Sequence, residues 1–218
     1  MSEESIYGKY QGTLYKLEED LIGLFESYKR QELEQTGIKV YEHLSSRIKT
    51  ERSMREKCGR KGLPQTPHSA LRELKDAIGV RLVCDFVDDV YKNVEYIRSF
   101  ANCTVVEEKD YIRHAKPNGY RSYHMILDMR TPYEDVDGNV PGHYFVEVQI
   151  RTIAMDTWAS LEHEMKYKKK VSNQKLIEAE LKRCADELAS CDISMQTIRQ
   201  MIRENARDEE EETIGEGK

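Results

Sequence analysis

The chain has 218 residues, 39% of them hydrophobic and 34% charged, with a net charge of −6. That is enough for one well-buried core, or one domain with a helical extension, and the composition reads as a polar globular protein. A membrane span is excluded because no run approaches the ~20 apolar residues it needs, and the acidic balance speaks against a stable nucleic-acid partner for the chain as a whole.

The start, MSEESIYGKY, is polar and has no apolar signal core, so a cytoplasmic location is expected. The 5 cysteines form no C-x-x-C pair and read as reduced thiols. Apolar residues Tyr10, Leu14, Leu17, Leu21, Leu24 and Tyr28 predict a helix over 7–30, and a second helix is expected from the mid-30s to Lys61, ended by Gly62-Leu63-Pro64. Thr66-Pro67 opens a short helix, HSALRELKD. GVRLVCDF at 79–86 reads as a buried strand and 88–100 as a helix. Three more strands follow, CTVVEEKD, YHMILDMR and HYFVEVQIR, the last two joined through the hairpin signal Asp137-Gly138. TIAMDTWASLEHEMKYK is helical by its period.

From Ile177 through Leu181, Cys184, Leu188, Cys191, Met195 and Ile198 to Ile202, apolar residues alternate spacings of four and three, which is a heptad pattern. Packing within the domain and a subunit interface both satisfy it. The interface reading puts Leu181 and Leu188 at the contact and buries Cys184 and Cys191. DEEEE at 208–212 and the residues after it read as a disordered acidic tail.

Three polar clusters lie at the edges of apolar elements. Basic residues concentrate at 47–61, where Lys49, Ser53 and Lys57 would share a helix face next to Arg47. Two ammonium groups and a hydroxyl suit a polyphosphate, although a solvated basic helix has the same composition. Asp76 precedes a strand in which Gly79 permits close approach and Arg81 needs a partner. Glu147 and Gln149 share a strand face opposite Val146, Val148 and Ile150. Asp76 and Glu147 together could hold Mg²⁺ against substrate phosphates. The stretch KPNGYRSYH at 116–124 adds Lys116 for a phosphate, Tyr120 as a stacking face for a base, and His124 nearby. Two phosphate-binding regions, one base platform and a carboxylate pair suggest two nucleotides meeting at one metal.

RIKTERSMREK, KDAIGVRLVC, DYIRHAKPNGYRSYH and VEVQIRTIAMDTWASLEHEMKYK, in this order, resemble the synthetase domain of RelA/SpoT-type alarmone synthetases. In length the chain resembles a stand-alone small member. The resemblance implies an α+β fold, with a mixed sheet of about five strands flanked by helices and a long C-terminal helix. It implies a synthetase domain over 1–175, an oligomerisation helix over 176–207 and a tail over 208–218. It further implies transfer of pyrophosphate from ATP to the 3′-hydroxyl of GTP or GDP with Mg²⁺, and assembly as a homotetramer. Carried over by position, Arg47 and Arg81 resemble the pair that sandwiches adenine, and Lys49, Ser53 and Lys57 the ATP phosphate contacts. Asp76 and Glu147 resemble the metal carboxylates, with Glu147 also the base for the hydroxyl. Tyr120 resembles the guanine platform, Lys116 and His124 the acceptor phosphate contacts, and Asn118 and Gln149 lesser acceptor contacts. None of the 6 histidines precedes an aspartate, the pair that marks the hydrolase domain of longer members, so synthesis without degradation is expected. Some tetrameric members line an allosteric cleft with Phe-x-Thr-Gly before the first motif arginine. Here that segment is His43-Leu44-Ser45-Ser46, and it departs from the pattern. Two rival readings are an enzyme of the same fold with an adenine nucleotide or tRNA end as acceptor, and a non-catalytic nucleotide-binding module.

Overall fold

A computed structural model of the protein describes residues 5–167 and 173–215. The basic residues at 168–170 and the last three of the tail, 216–218, lie outside the described residues. Helix α1 (Gln11–Thr36) is followed by β1 (His43–Ile48), α2 (Glu51–Lys61), a five-residue π turn (Ser69–Glu73) and β2 (Ile78–Cys84). Then come α3 (Val87–Arg98), β3 (Cys103–Asp110), β4 (Tyr123–Thr131), β5 (Gly142–Thr152), α4 (Ile153–Tyr167) and α5 (Gln174–Gly215). The strands form one mixed sheet in the order β1-β2-β5-β4-β3, in which β2 and β5 run parallel and the other pairs antiparallel.

The alternation in the strands separates the two faces of the sheet. Ile78, Val80 and Leu82, Tyr123, Met125, Leu127 and Met129, and Tyr144, Val146, Val148 and Ile150 all point into one core. Leu14, Leu17, Leu21, Phe25 and Tyr28 of α1, Met54 and Cys58 of α2, and Val90, Val94 and Ile97 of α3 close over it. Phe25 takes the inward place expected of Leu24, which is exposed. The opposite sheet face keeps polar side chains, and it carries the site.

The expected second helix is corrected by the structure. Its first half is strand β1, and only Glu51–Lys61 is helical. Gly37, at φ 66°, ends α1 with its N–H on the Leu33 carbonyl oxygen, 3.0 Å away. Leu44 and Ile48 then pack on the core at a period of two, while β1 pairs antiparallel with β2. A second helix start follows at once, because the Thr50 hydroxyl oxygen accepts from the Ser53 amide at 3.3 Å.

Helix α5 also differs from expectation. It continues through the DEEEE run to Gly215, where a disordered tail was expected. Its buried inward residues are Ala185 and Asp192. Leu188 lines a small cavity with Gly119, Trp158 and Met155, so it serves packing inside the protomer. Cys184 and Cys191 are exposed, as are Met195, Ile198 and Ile202. Hydrogen bonds fix α5 to the rest of the fold. Trp158 Nε1 donates to the Leu181 carbonyl oxygen at 2.8 Å, the Thr152 hydroxyl to Asp192 at 2.6 Å, and Arg199 to the buried Asp89 at 2.6 Å.

Candidate active site

Strand register assembles the site. On the polar sheet face, Ser45, Arg81, Gln149, His124 and Lys109 are successive partners across all five strands. In the neighbouring row, Arg47 faces Gly79, and Gly79 faces Glu147. Gly79 leaves the space between Arg47 and Glu147 free of a side chain. A β-carbon there would already touch Arg47 Cγ at 3.8 Å.

At one end of this face, Asp76 sits two residues before β2, caged by two lysines. Lys49 and Lys57 both pair with its Oδ2, Lys57 at 2.5 Å. The expected single helix face is corrected here. Lys49 lies in the link between β1 and α2, and its amide donates to the Ala77 carbonyl oxygen at 2.8 Å. That backbone bond delivers its ammonium group to Asp76. Ser53 is in the first turn of α2, where its hydroxyl accepts from Thr50 at 2.9 Å and the helix N-terminus favours anions.

Asp76 Oδ1 is buried and has no hydrogen-bond partner. An ionised oxygen so placed is costly unless something positive meets it. Glu147 lies on the adjacent strand. Burial pushes its pKa up, but the facing His124, the amide of Gln149 and the charge of Lys49 outweigh burial and hold it at about 2. Gln149 Nε2 donates to Glu147 Oε2 at 3.0 Å, and His124 Nδ1 lies 3.7 Å from Oε1. Among the described residues no three His, Cys, Asp or Glu side chains converge as a metal cage. The unpartnered Asp76 Oδ1 and the Glu147 carboxylate are oxygen donors of the kind a hard divalent cation takes beside water and substrate phosphates.

At the other end lies Tyr120. Its hydroxyl is 2.7 Å from His124 Nε2, and its ring meets Tyr111 and Trp158 edge-on at centroid distances of 6.0 and 6.4 Å. Lys116 Nζ sits 4.7 Å from the ring centroid. Asn118 is held by both of its side-chain amide atoms. Its Nδ2 donates to Glu162 at 3.1 Å and its Oδ1 accepts from the Tyr120 amide, so it shapes the loop.

Sequence reasoning missed Arg151 and Asp156. Arg151 is buried and donates to Tyr120 Oη and Gln149 Oε1, both at 2.7 Å. Asp156, in the first turn of α4, is the partner that Arg81 required, at 3.3 Å, and it also accepts from Arg151 at 3.1 Å. Arg81 stays below the usual arginine range through burial and the like charge of Arg151, partly offset by Asp156. The signal was present for Arg151, since it continues the period-two face of Glu147 and Gln149.

A caged carboxylate and a basic helix start at one end of a sheet face, with a cation-covered tyrosine at the other, define a site built for two phosphorylated ligands. The family model for a region found in RelA / SpoT proteins matches residues 46–172, and the chain belongs to this family. It is 39% identical over 150 residues to the GTP pyrophosphokinase YwaC of Bacillus subtilis (strain 168), an alignment covering 69% of this chain and 70% of that one. The crystal structure of small alarmone synthetase 1 from Bacillus subtilis bound to its product pppGpp superposes with a TM-score of 0.73 at 31% identity, over 88% of this chain and 94% of that one. The same synthetase bound to AMPCPP superposes with a TM-score of 0.65 at 29% identity, over 89% and 94%.

Proposed function

We propose that the protein transfers the pyrophosphoryl group of ATP to the 3′-hydroxyl of GDP or GTP, releasing AMP and forming an alarmone. The observation that carries this reading is the placement of Glu147 between two half-sites on one sheet face, with Asp76, Lys49 and Lys57 on one side and Tyr120, His124 and Lys116 on the other. Relatives named for GTP pyrophosphokinase activity, and a neighbour bound to pppGpp, support the same assignment.

In this reading Lys49, Lys57 and the start of α2 receive the ATP phosphates, and Arg47 and Arg81 face the adenine. Phosphate oxygens compete for the ammonium groups that Asp76 now engages. Asp76, through Oδ1, and Glu147 would hold Mg²⁺, which supplies charge neutralisation on the transferring group. Guanine stacks on Tyr120 after Lys116 leaves the ring for the acceptor's phosphates. The 3′-oxygen then bonds to the β-phosphorus as the bond to the α,β-bridging oxygen breaks. Glu147 orients the hydroxyl and takes its proton in passing. A carboxylate with a pKa of about 2 holds a proton poorly, and the adjacent His124 can carry it onward. Most of the acceleration comes from alignment and preorganised charge.

The activity proposed is synthesis alone, in a cytoplasmic homotetramer, as the family resemblance implies. Purified protein incubated with ATP labelled at the γ-phosphate, Mg²⁺ and GDP or GTP should move label to the guanine nucleotide and release one AMP per product. Label moving to an adenine nucleotide instead, or release of ADP, would overturn the assignment.

A further inference from the structure

We infer that Arg151 and Asp156 are positioning residues that couple the two half-sites, so that the adenine-side and guanine-side nucleotides strengthen each other's binding. The inference rests on the proposed transfer reaction and adds a role for two residues at its centre.

One oxygen, Asp156 Oδ1, is shared by two guanidinium groups. Arg81 Nη1 lies 3.3 Å from it and Arg151 Nη1 lies 3.1 Å from it. Arg81 belongs to the proposed adenine side. Arg151 reaches the acceptor side through Tyr120 Oη and the catalytic centre through Gln149, which in turn donates to Glu147. The Arg151 side chain is only 7% exposed and also donates to the buried Ser122 hydroxyl at 3.3 Å. It is too enclosed to touch a nucleotide, so it acts through its neighbours.

The backbone makes this link stiff. β5 ends at Thr152 and α4 begins at Ile153, with no loop between them. The Thr152 hydroxyl oxygen accepts from the Met155 amide at 3.2 Å, which caps the helix and fixes Asp156 relative to Arg151. Arg81, by contrast, has a weak hold. Its Nε is buried without a hydrogen-bond partner. When Arg81 turns to stack on adenine, Asp156 Oδ1 is left to Arg151 alone. A stronger Arg151–Asp156 bond then holds the Arg151 fork, and with it Tyr120, in one orientation. A guanine stacked on Tyr120 favours the same arrangement from the other side. Linkage requires the two effects to be equal.

Calorimetry on the full chain with AMPCPP and GDP, each alone and then each in the presence of the other, tests this. In the wild type each ligand should tighten the other by about fivefold or more, and by the same factor, while Asp156→Asn should bind each alone within about threefold of wild type and show a factor near one. Arg151→Lys keeps the charge but loses the fork, and should lose the coupling in the same way. Should that variant fail to fold, Asp156→Asn alone decides the matter. Coupling that survives in Asp156→Asn, or no mutual tightening in the wild type, overturns the inference while leaving the transfer reaction standing. Equal loss of binding for each nucleotide alone in Asp156→Asn also overturns it, because that marks a merely structural ion pair. A wild-type chain that binds neither nucleotide and forms no product overturns the functional assignment itself.

Discussion

A β-carbon on Gly119 would stand 2.6 Å from the β-carbon of Ala185, closer than packed atoms come. Gly119 belongs to the loop that carries Lys116 and Tyr120, and Ala185 is a buried residue of α5. The loop also has a φ of 92° at Gly119, and Arg121 ties it to the helix by donating to the Ala185 carbonyl oxygen at 3.2 Å and to Asp186 at 3.0 Å. The acceptor loop and the C-terminal helix are thus one packed unit. Gly119→Ala should cost about 1–3 kcal/mol in stability, from left-handed strain and overpacking together. The acceptor's KM should rise several-fold more than that of ATP, because Tyr120 is the next residue. Urea unfolding and steady-state kinetics check both parts, and an unchanged acceptor KM would separate the loop from α5.

Asp76→Asn removes the charge that Lys49 and Lys57 share. kcat should fall by about 100-fold or more, the scale of losing one preorganised electrostatic contact, while the fold survives. The Mg²⁺ concentration for half-maximal rate should rise, since one of the two carboxylates proposed to hold the ion is gone. A Mg²⁺ titration that superposes on that of the wild type would take Asp76 out of the metal site.

Glu147 gives a pH signature. Its pKa is lowered from 4.5 to about 2 in the folded chain. A carboxylate shifted downward contributes stability above its unfolded pKa and loses it as pH falls through the folded value. Here that window runs from about pH 4.5 down to about pH 2. Glu147→Gln should therefore sit below wild type by about 1–3 kcal/mol at pH 6, allowing for its partial exposure, and the gap should narrow toward pH 3. Transfer should be lost by about 100-fold or more at every pH. Denaturant unfolding at the two pH values reads the first part, and a gap that widens toward acid contradicts the sign.

Tyr120 separates its ring from its hydroxyl. Tyr120→Ala should raise the acceptor's KM by about 10-fold or more with little change for ATP, as loss of one stacked base implies. Tyr120→Phe keeps the ring but strips Arg151 of an acceptor and His124 of a partner, both at 2.7 Å. It should therefore raise the acceptor's KM far less than Tyr120→Ala does, by no more than the coupling factor, and lower kcat modestly. Equal KM effects of Tyr120→Ala on both substrates would remove the stacking role.

How far the sequence could be read depends on where each constraint resides. Strands β4 and β5 were legible because Tyr123 to Met129 and Tyr144 to Ile150 alternate between a core and a polar face, a purely local signal. β1 was not, because HLSSRI becomes a strand by pairing with β2, and that partner lies some thirty to forty residues further along the chain. The charged clusters were legible as chemistry, and the structure joins Lys49, Lys57 and Asp76 although Lys49 is not on the helix. Asn118 also has a partner that the sequence could not show, because Glu162 lies on α4 and only the tertiary fold brings the two together. Asp156 was hidden for the same reason, as its value lies in two arginines from two different strands.

The apolar pattern of α5 now divides along the length of the helix. Ala185, Leu188 and Asp192 turn inward against the acceptor loop, Trp158 and Thr152. Past that point Ile193, Met195, Ile198, Met201 and Ile202 are each at least half exposed. Leu188 is therefore a poor place to test assembly, since a charge there would disturb the protomer first. Met195 and Ile202 are a heptad apart on the open side, and burying such a stripe against another copy would remove several large apolar side chains from water. Met195→Asp with Ile202→Asp should therefore leave thermal unfolding of the protomer nearly unchanged and reduce the assembled mass. Light scattering at micromolar concentration reads the outcome. A wild-type monomer would refute assembly through α5. A double variant that keeps the full wild-type mass would move the interface to another surface and leave the outer stripe of α5 without a subunit role.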